Sequence, residues 1–168
     1  MNQLPIPSDV TEIQNWLNPE FYKITTRYKP DNIYIINALR GQDDNIFELN
    51  IEYSSERNTV LLIIHCLKEI NPGKYNFCIE LLNYLNVHKT ESKFSINPLT
   101  MRLTCSEVIG FASYEAGSIE LTDTLEMCST LTFRNLINIS AILNENIGLQ
   151  EAVERTIGYL QVERDITD

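Results

Sequence analysis

The sequence predicts an α+β fold in one domain: an antiparallel meander sheet with helices mainly on one face, in the order α-β-β-β-β-α-β-β-α-α. Three observations carry this. Residues 47–53 alternate, with Phe47, Leu49, Ile51 and Tyr53 on one side and Glu48, Asn50 and Glu52 on the other, which is the period of a strand with one wet face. Residues 59–67 hold an unbroken Val60-Leu-Leu-Ile-Ile64 run, apolar and β-branched over a strand's length. Beyond residue 71 the apolar period becomes that of a helix in three further segments.

The first element is a short helix, Asp9 to Leu17. Asp9 and Glu12 have capping-box spacing, Val10, Ile13 and Leu17 form one apolar face with Trp16 beside it, and Pro19 stops it. Phe21 to Tyr28 reads as a strand, Lys29-Pro-Asp-Asn32 as its turn, and Ile33 to Arg40 as the second strand. Gly41 to Asn45 is expected to be a polar loop, Ile46 to Tyr53 the third strand, and Ser54 to Asn58 a turn. Thr59 to Leu67 is the fourth strand, and its continuous apolar run predicts a central place covered on both faces. Asn71 and Pro72 suit the N-cap and first position of a second helix, on which Phe77, Leu81 and Leu85 stack with Cys78 and Leu82 alongside.

Lys93 to Ile96 and Met101 to Val108 read as a second hairpin around Asn97-Pro-Leu-Thr100, and Gly110 to Ser118 as a loop. A long helix is expected from Asp123 to Asn146, again with capping-box spacing at Asp123 and Glu126. Its inward face is Leu125, Cys128, Leu136, Ile139 and Leu143, and Leu131, Phe133, Ile137 and Ile142 widen that stripe beyond what one sheet contact needs. Gly148 ends it, and Leu149 to Leu160 form a last helix. One domain over residues 1–168 follows, with its core in 8–147 and an added helix at 149–160.

The net charge is −10 and the 13 Lys and Arg are scattered, so nucleic acid and anionic membrane are not expected as partners. A basic protein partner is compatible with that charge. Cys66, Cys78, Cys105 and Cys128 lack any C-x-x-C spacing and sit in apolar stretches, so buried thiols in a reducing, cytoplasmic setting are expected rather than a zinc site. The first residues carry no basic residue and two prolines, unlike a secretory signal, and the longest apolar run falls far short of the roughly 20 residues that span a bilayer.

No phosphate loop, dinucleotide fingerprint, zinc-protease or nucleophile-elbow motif occurs, and with only six glycines a glycine-rich cradle has little material. His65 adjoins Cys66, but neighbours in a strand point to opposite faces, so the two cannot form a nucleophile pair. His88 follows the second helix, where a histidine suits the dipole. Asp43 and Asp44 read as a solvated turn, since a hard cation needs about six oxygens. Tyr22, Tyr28, Tyr34 and Tyr53 read as ordinary strand residues. No catalytic, cofactor or metal residue is assigned.

Two segments, Pro72-Gly-Lys-Tyr-Asn-Phe-Cys-Ile-Glu-Leu-Leu-Asn-Tyr-Leu-Asn86 after a buried strand and the hairpin Lys93-Phe-Ser-Ile-Asn-Pro-Leu-Thr-Met-Arg-Leu103, together with the long helix from Asp123, resemble the YbjN-like family over residues 8–147. That family is described as bacterial sensory-transduction regulators and shares the fold of type III secretion chaperones; the Ile- and Asn-rich composition also fits a bacterial source. This chain lacks a glycine in the 97–100 turn and adds a terminal helix. The resemblance implies a non-catalytic module that binds protein, and chaperones of that fold are typically dimers. The sequence-based expectation is therefore a protein-binding or chaperone-like module, without cofactor, whose partner is another protein or a second copy. Its candidate surface is Leu131, Phe133, Ile137 and Ile142 on the C-terminal helices. A small-ligand sensor or an enzyme with a dispersed pocket is the alternative.

Overall fold

In a computed structural model, which describes residues 8–42, 44–57, 59–88, 92–110 and 119–157, the meander forms β1 (Tyr22–Lys29), β2 (Ile33–Gln42), β3 (Asn45–Ser54) and β4 (Thr59–Glu69). The second hairpin is β5 (Ser92–Ile96) and β6 (Arg102–Gly110). The sheet order is β1-β2-β3-β4-β6-β5 with every pair antiparallel. Helix α1 is Ser8–Leu17, α2 is Tyr75–His88 after a 3₁₀ turn at Pro72–Lys74, and α3 is Ile119–Asn144. Residues 149–157 are helical and are called α4. The α+β class and the element order are as the sequence predicts, and Thr59 to Leu67 lies inside the sheet between β3 and β6.

Boundaries differ where side chains found other partners. The expected five-residue loop at 41–45 contracts, because Gln42 already pairs with Asn45 while Asp44 takes φ 60, a conformation Asp tolerates. Asp43 lies outside the described residues. Asp9 sits inside α1, and its carboxylate accepts from the Tyr53 hydroxyl, which fixes the helix to β3. Helix α3 starts at Ile119, so Asp123 is an exposed residue one turn inside it and no cap. The loop at 111–118 lies outside the described residues. Asn71 does cap, its side-chain oxygen accepting from the Gly73 amide at 2.9 Å, although the first turn is 3₁₀. In the β5–β6 turn the Asn97 side chain accepts from the amides of Leu99 (2.9 Å) and Thr100 (3.2 Å), and Met101 takes the left-handed position (φ 51) that a glycine ordinarily fills.

The core lies on one face of the sheet. Ile36, Leu49, Ile51, Leu62, Ile64 and Leu103 point from the strands to Val10, Ile13 and Leu17 of α1, Leu81 and Leu85 of α2, and Leu125, Leu136 and Leu143 of α3. Phe133 of α3 stacks edge-on against Phe47 at 5.1 Å, and the Arg40 guanidinium lies 4.9 Å from its ring while pairing with Glu20 at 2.7 Å. Helix α4 buries Ala152 and Thr156, and Arg155 donates to Glu145 at 2.9 Å, so it closes against the end of α3. Lys74 donates to the Glu145 carbonyl there, a cation at a helix C-terminus. The sequence left open which element would cover the broad stripe of α3. At 100° per residue the buried positions from Ile142 round to Phe133 sweep roughly 180°. The sheet and α1 take that arc, while α4 meets the end of α3.

The β5 edge is closed from within. Asn86 of α2 accepts from the Phe94 amide and donates to the Phe94 carbonyl, both at 2.7 Å, as a neighbouring strand would.

Candidate interaction surface

The helices take the face of the sheet that carries Leu49, Ile64 and their row-mates. The register then fixes the other face residue by residue. One row runs Arg27, Ile35, Glu52, Leu61, Val108 from β1 to β6. The next runs Thr25, Asn37, Asn50, Ile63, Ser106 and on to Lys93 of β5. A third runs Leu39, Glu48, His65, Thr104, Ser95. Read along the strands instead, β2 presents Ile33, Ile35 and Leu39, β4 presents Leu61, Ile63 and Leu67, and β3 between them presents Glu48, Asn50 and Glu52.

All of these β2, β3 and β4 side chains are half-buried, and Val108 on β6 is 69% exposed. Neighbouring strands shield them in part; among the described residues no helix packs on them. This corrects the expectation that Thr59 to Leu67 is covered on both faces. Val60, Leu62, Ile64 and Cys66 are fully buried, while Leu61, Ile63, His65 and Leu67 are not. The strand is central in the sheet, and central is not the same as sandwiched.

Two polar groups of this face, His65 and Glu52, have local partners. His65 Nδ1 lies 2.8 Å from Thr104 Oγ1. Partial burial lowers its pKa below the usual histidine value, against an opposing pull from Glu48. Lys29, which is exposed, pairs with the half-buried Glu52 at 3.6 Å. Glu48, flanked by Leu39 and His65, and Glu52 with its neighbour Asn50 make a narrow polar line between two aliphatic ones.

The surface the sequence singled out is not assembled. Phe133 and Ile142 are buried in the core, 0% and 1% exposed. Leu131 and Ile137 are half-buried, and six residues on a helix set them about 120° apart, on opposite margins of the exposed side of α3. The buried part of the broad stripe packs inside the chain, against β4, β6 and α1, while α4 meets the end of α3 at Glu145.

The remaining single residues fall out plainly. Tyr34 and Tyr53 are buried, the latter with its pKa raised by burial and by the Asp9 carboxylate, while Tyr22 and Tyr28 are exposed on the edge strand. Cys66, Cys78 and Cys105 are buried, Cys128 is half-buried, and none is in a disulfide; burial raises the thiol pKa of Cys66 and Cys78. His88 is the last residue of α2, and its side chain lies outside the described residues. Among the described residues no group of three or more His, Cys, Asp and Glu could hold a metal ion, and no helix is long and apolar enough to cross a membrane.

Sequence reasoning missed the aliphatic residues of the open face, although the signal was present. Strand β3 alternates with polar residues on this face, and a face wet at β3 is wet at the strands hydrogen-bonded to it. Compared with protein families, with curated proteins and with solved structures, the chain matches none.

Proposed function

We propose that the protein acts by binding another protein, as a chaperone-like or regulatory module and not as an enzyme, and that the open sheet face is its binding surface. The observation that carries this is the pair of aliphatic lines on β2 and β4, which no described element covers. Apolar side chains gathered on one side of a folded chain mark interaction sites more often than scattered ones do. The size is adequate: β2, β3, β4 and β6 are 9 to 11 residues long. At the usual rise and strand spacing they present roughly 600 Å², against about 800 Å² per partner in a standard interface. The resemblance to YbjN-like proteins and type III secretion chaperones points the same way.

The test is site-resolved cross-linking. A photoreactive amino acid replaces Ile63 on the open face or Arg134 on the exposed side of α3, and the protein is irradiated in its native cells. Discrete adducts from position 63 and none from 134 are expected. Adducts from 134 alone, or from neither position, refute the proposal.

A further inference from the structure

Resting on that reading, we infer that the open face takes a basic amphipathic helix laid along β3, its cations over Glu48 and Glu52 and its aliphatic flanks over β2 and β4. The face is a patterned one. Across the strands it runs cationic at the β1 edge (Arg27, Lys29), aliphatic but for Asn37 at β2, acidic at β3 with Asn50 and Ile46 beside the carboxylates, aliphatic but for His65 at β4, mostly polar at β6 and cationic again at the β5 edge (Lys93). Two aliphatic lines two strands apart are separated by about 10 Å, and a helix with its side chains is about 10–12 Å across. One helix therefore reaches both lines at once with its underside on β3.

The charge order selects what that underside carries. An acidic stripe would meet Glu48 and Glu52 directly, and an uncharged one would cover Glu48 with no cation and leave Glu52 only its pair with Lys29, which is costly. A basic stripe pairs them. Lys29 already lies 3.6 Å from Glu52, but that pair lies at the surface and is weak, so an incoming cation can share or replace it. The cations at the two edges repel a basic helix that strays sideways, so they hold it to the β3 lane. A basic partner also suits a chain of net charge −10.

The probe is a synthetic 18-residue helical peptide with lysines in one narrow stripe flanked by leucines, and a twin with glutamates in their place. Binding is read by fluorescence anisotropy near physiological salt. The lysine peptide is expected to bind and the glutamate twin not. The pair Glu48→Lys with Glu52→Lys weakens the lysine peptide about tenfold, because like charges now face each other; the milder Glu48→Gln with Glu52→Gln gives a smaller loss in the same direction. Reversing two acids on exposed helix positions, Glu80→Lys with Asp123→Lys, changes binding less than twofold. An equal loss from both reversals means general attraction to an acidic chain and overturns the inference, as does no loss from the β3 variants. If Leu61→Ser with Ile63→Ser weakens binding while the β3 variants do not, the face binds protein but the acidic lane does not choose the partner. In that case the inference falls and the proposed function stands.

Discussion

Asn86 stands at the β5 edge where another strand would otherwise pair, with both amide groups engaged on Phe94. Replacing it with alanine leaves a backbone donor and acceptor without that partner. The expected cost is about 1–3 kcal/mol, read as a lower urea midpoint at unchanged slope, with faster hydrogen exchange at the Phe94 amide. A midpoint equal to the parent's shows that the edge is held by α2 packing alone. His65 gives a pH prediction. Its folded pKa is lowered, so below the ordinary value of about 6.5 the unfolded chain takes the proton more readily than the folded one. Stability therefore falls as pH drops through that value, and levels off once pH passes below the folded pKa. His65→Gln flattens this part of the profile, and NMR titration of the native ring gives a midpoint under 6.5; a midpoint above it contradicts the assignment. Neither role was legible in the sequence. Asn86 was only the residue where a helix faded, and nothing in the sequence named Thr104, 39 residues away, as the partner of His65.

The elements were more legible than their caps, because period survives context and caps do not. Alternation in β3 and the broad helical stripe of α3 gave both elements, whereas the Asp9 and Asp123 spacings promised caps that the chain did not use. Asp9 was engaged by Tyr53 from across the fold, and no local rule foresees a bond between residues 44 apart. The faces of α3 yield a paired test. Leu136 is 0% exposed and faces the core, whereas Leu131 lies at the margin. Leu136→Ala is expected to destabilise the fold by about 2–5 kcal/mol and Leu81→Ala in α2 by a similar amount, the usual cost of a core cavity. Leu131→Ala, at the half-exposed margin, costs clearly less. Similar urea midpoints for the Leu131 and Leu136 variants mean that the helix is rotated from the position described.

At the scale of the whole molecule, the arrangement of the described residues is one-sided: α1 to α4 share one face of the six-stranded sheet, and the other face carries two aliphatic lines around an acidic one. The sequence pointed to one-sidedness through β3, yet the apolar run of β4 pointed to burial on both faces. That run reflects a strand with a core on one side and a half-buried aliphatic face on the other, and composition alone does not separate the two cases. Hydroxyl-radical footprinting of β4 in the isolated protein tests this most directly, because the two sets of residues alternate along one strand and serve as each other's control. Oxidation is expected at Leu61 and Ile63, with Leu62 and Ile64 protected. Equal protection of all four would contradict it, since the face described as open would then be covered.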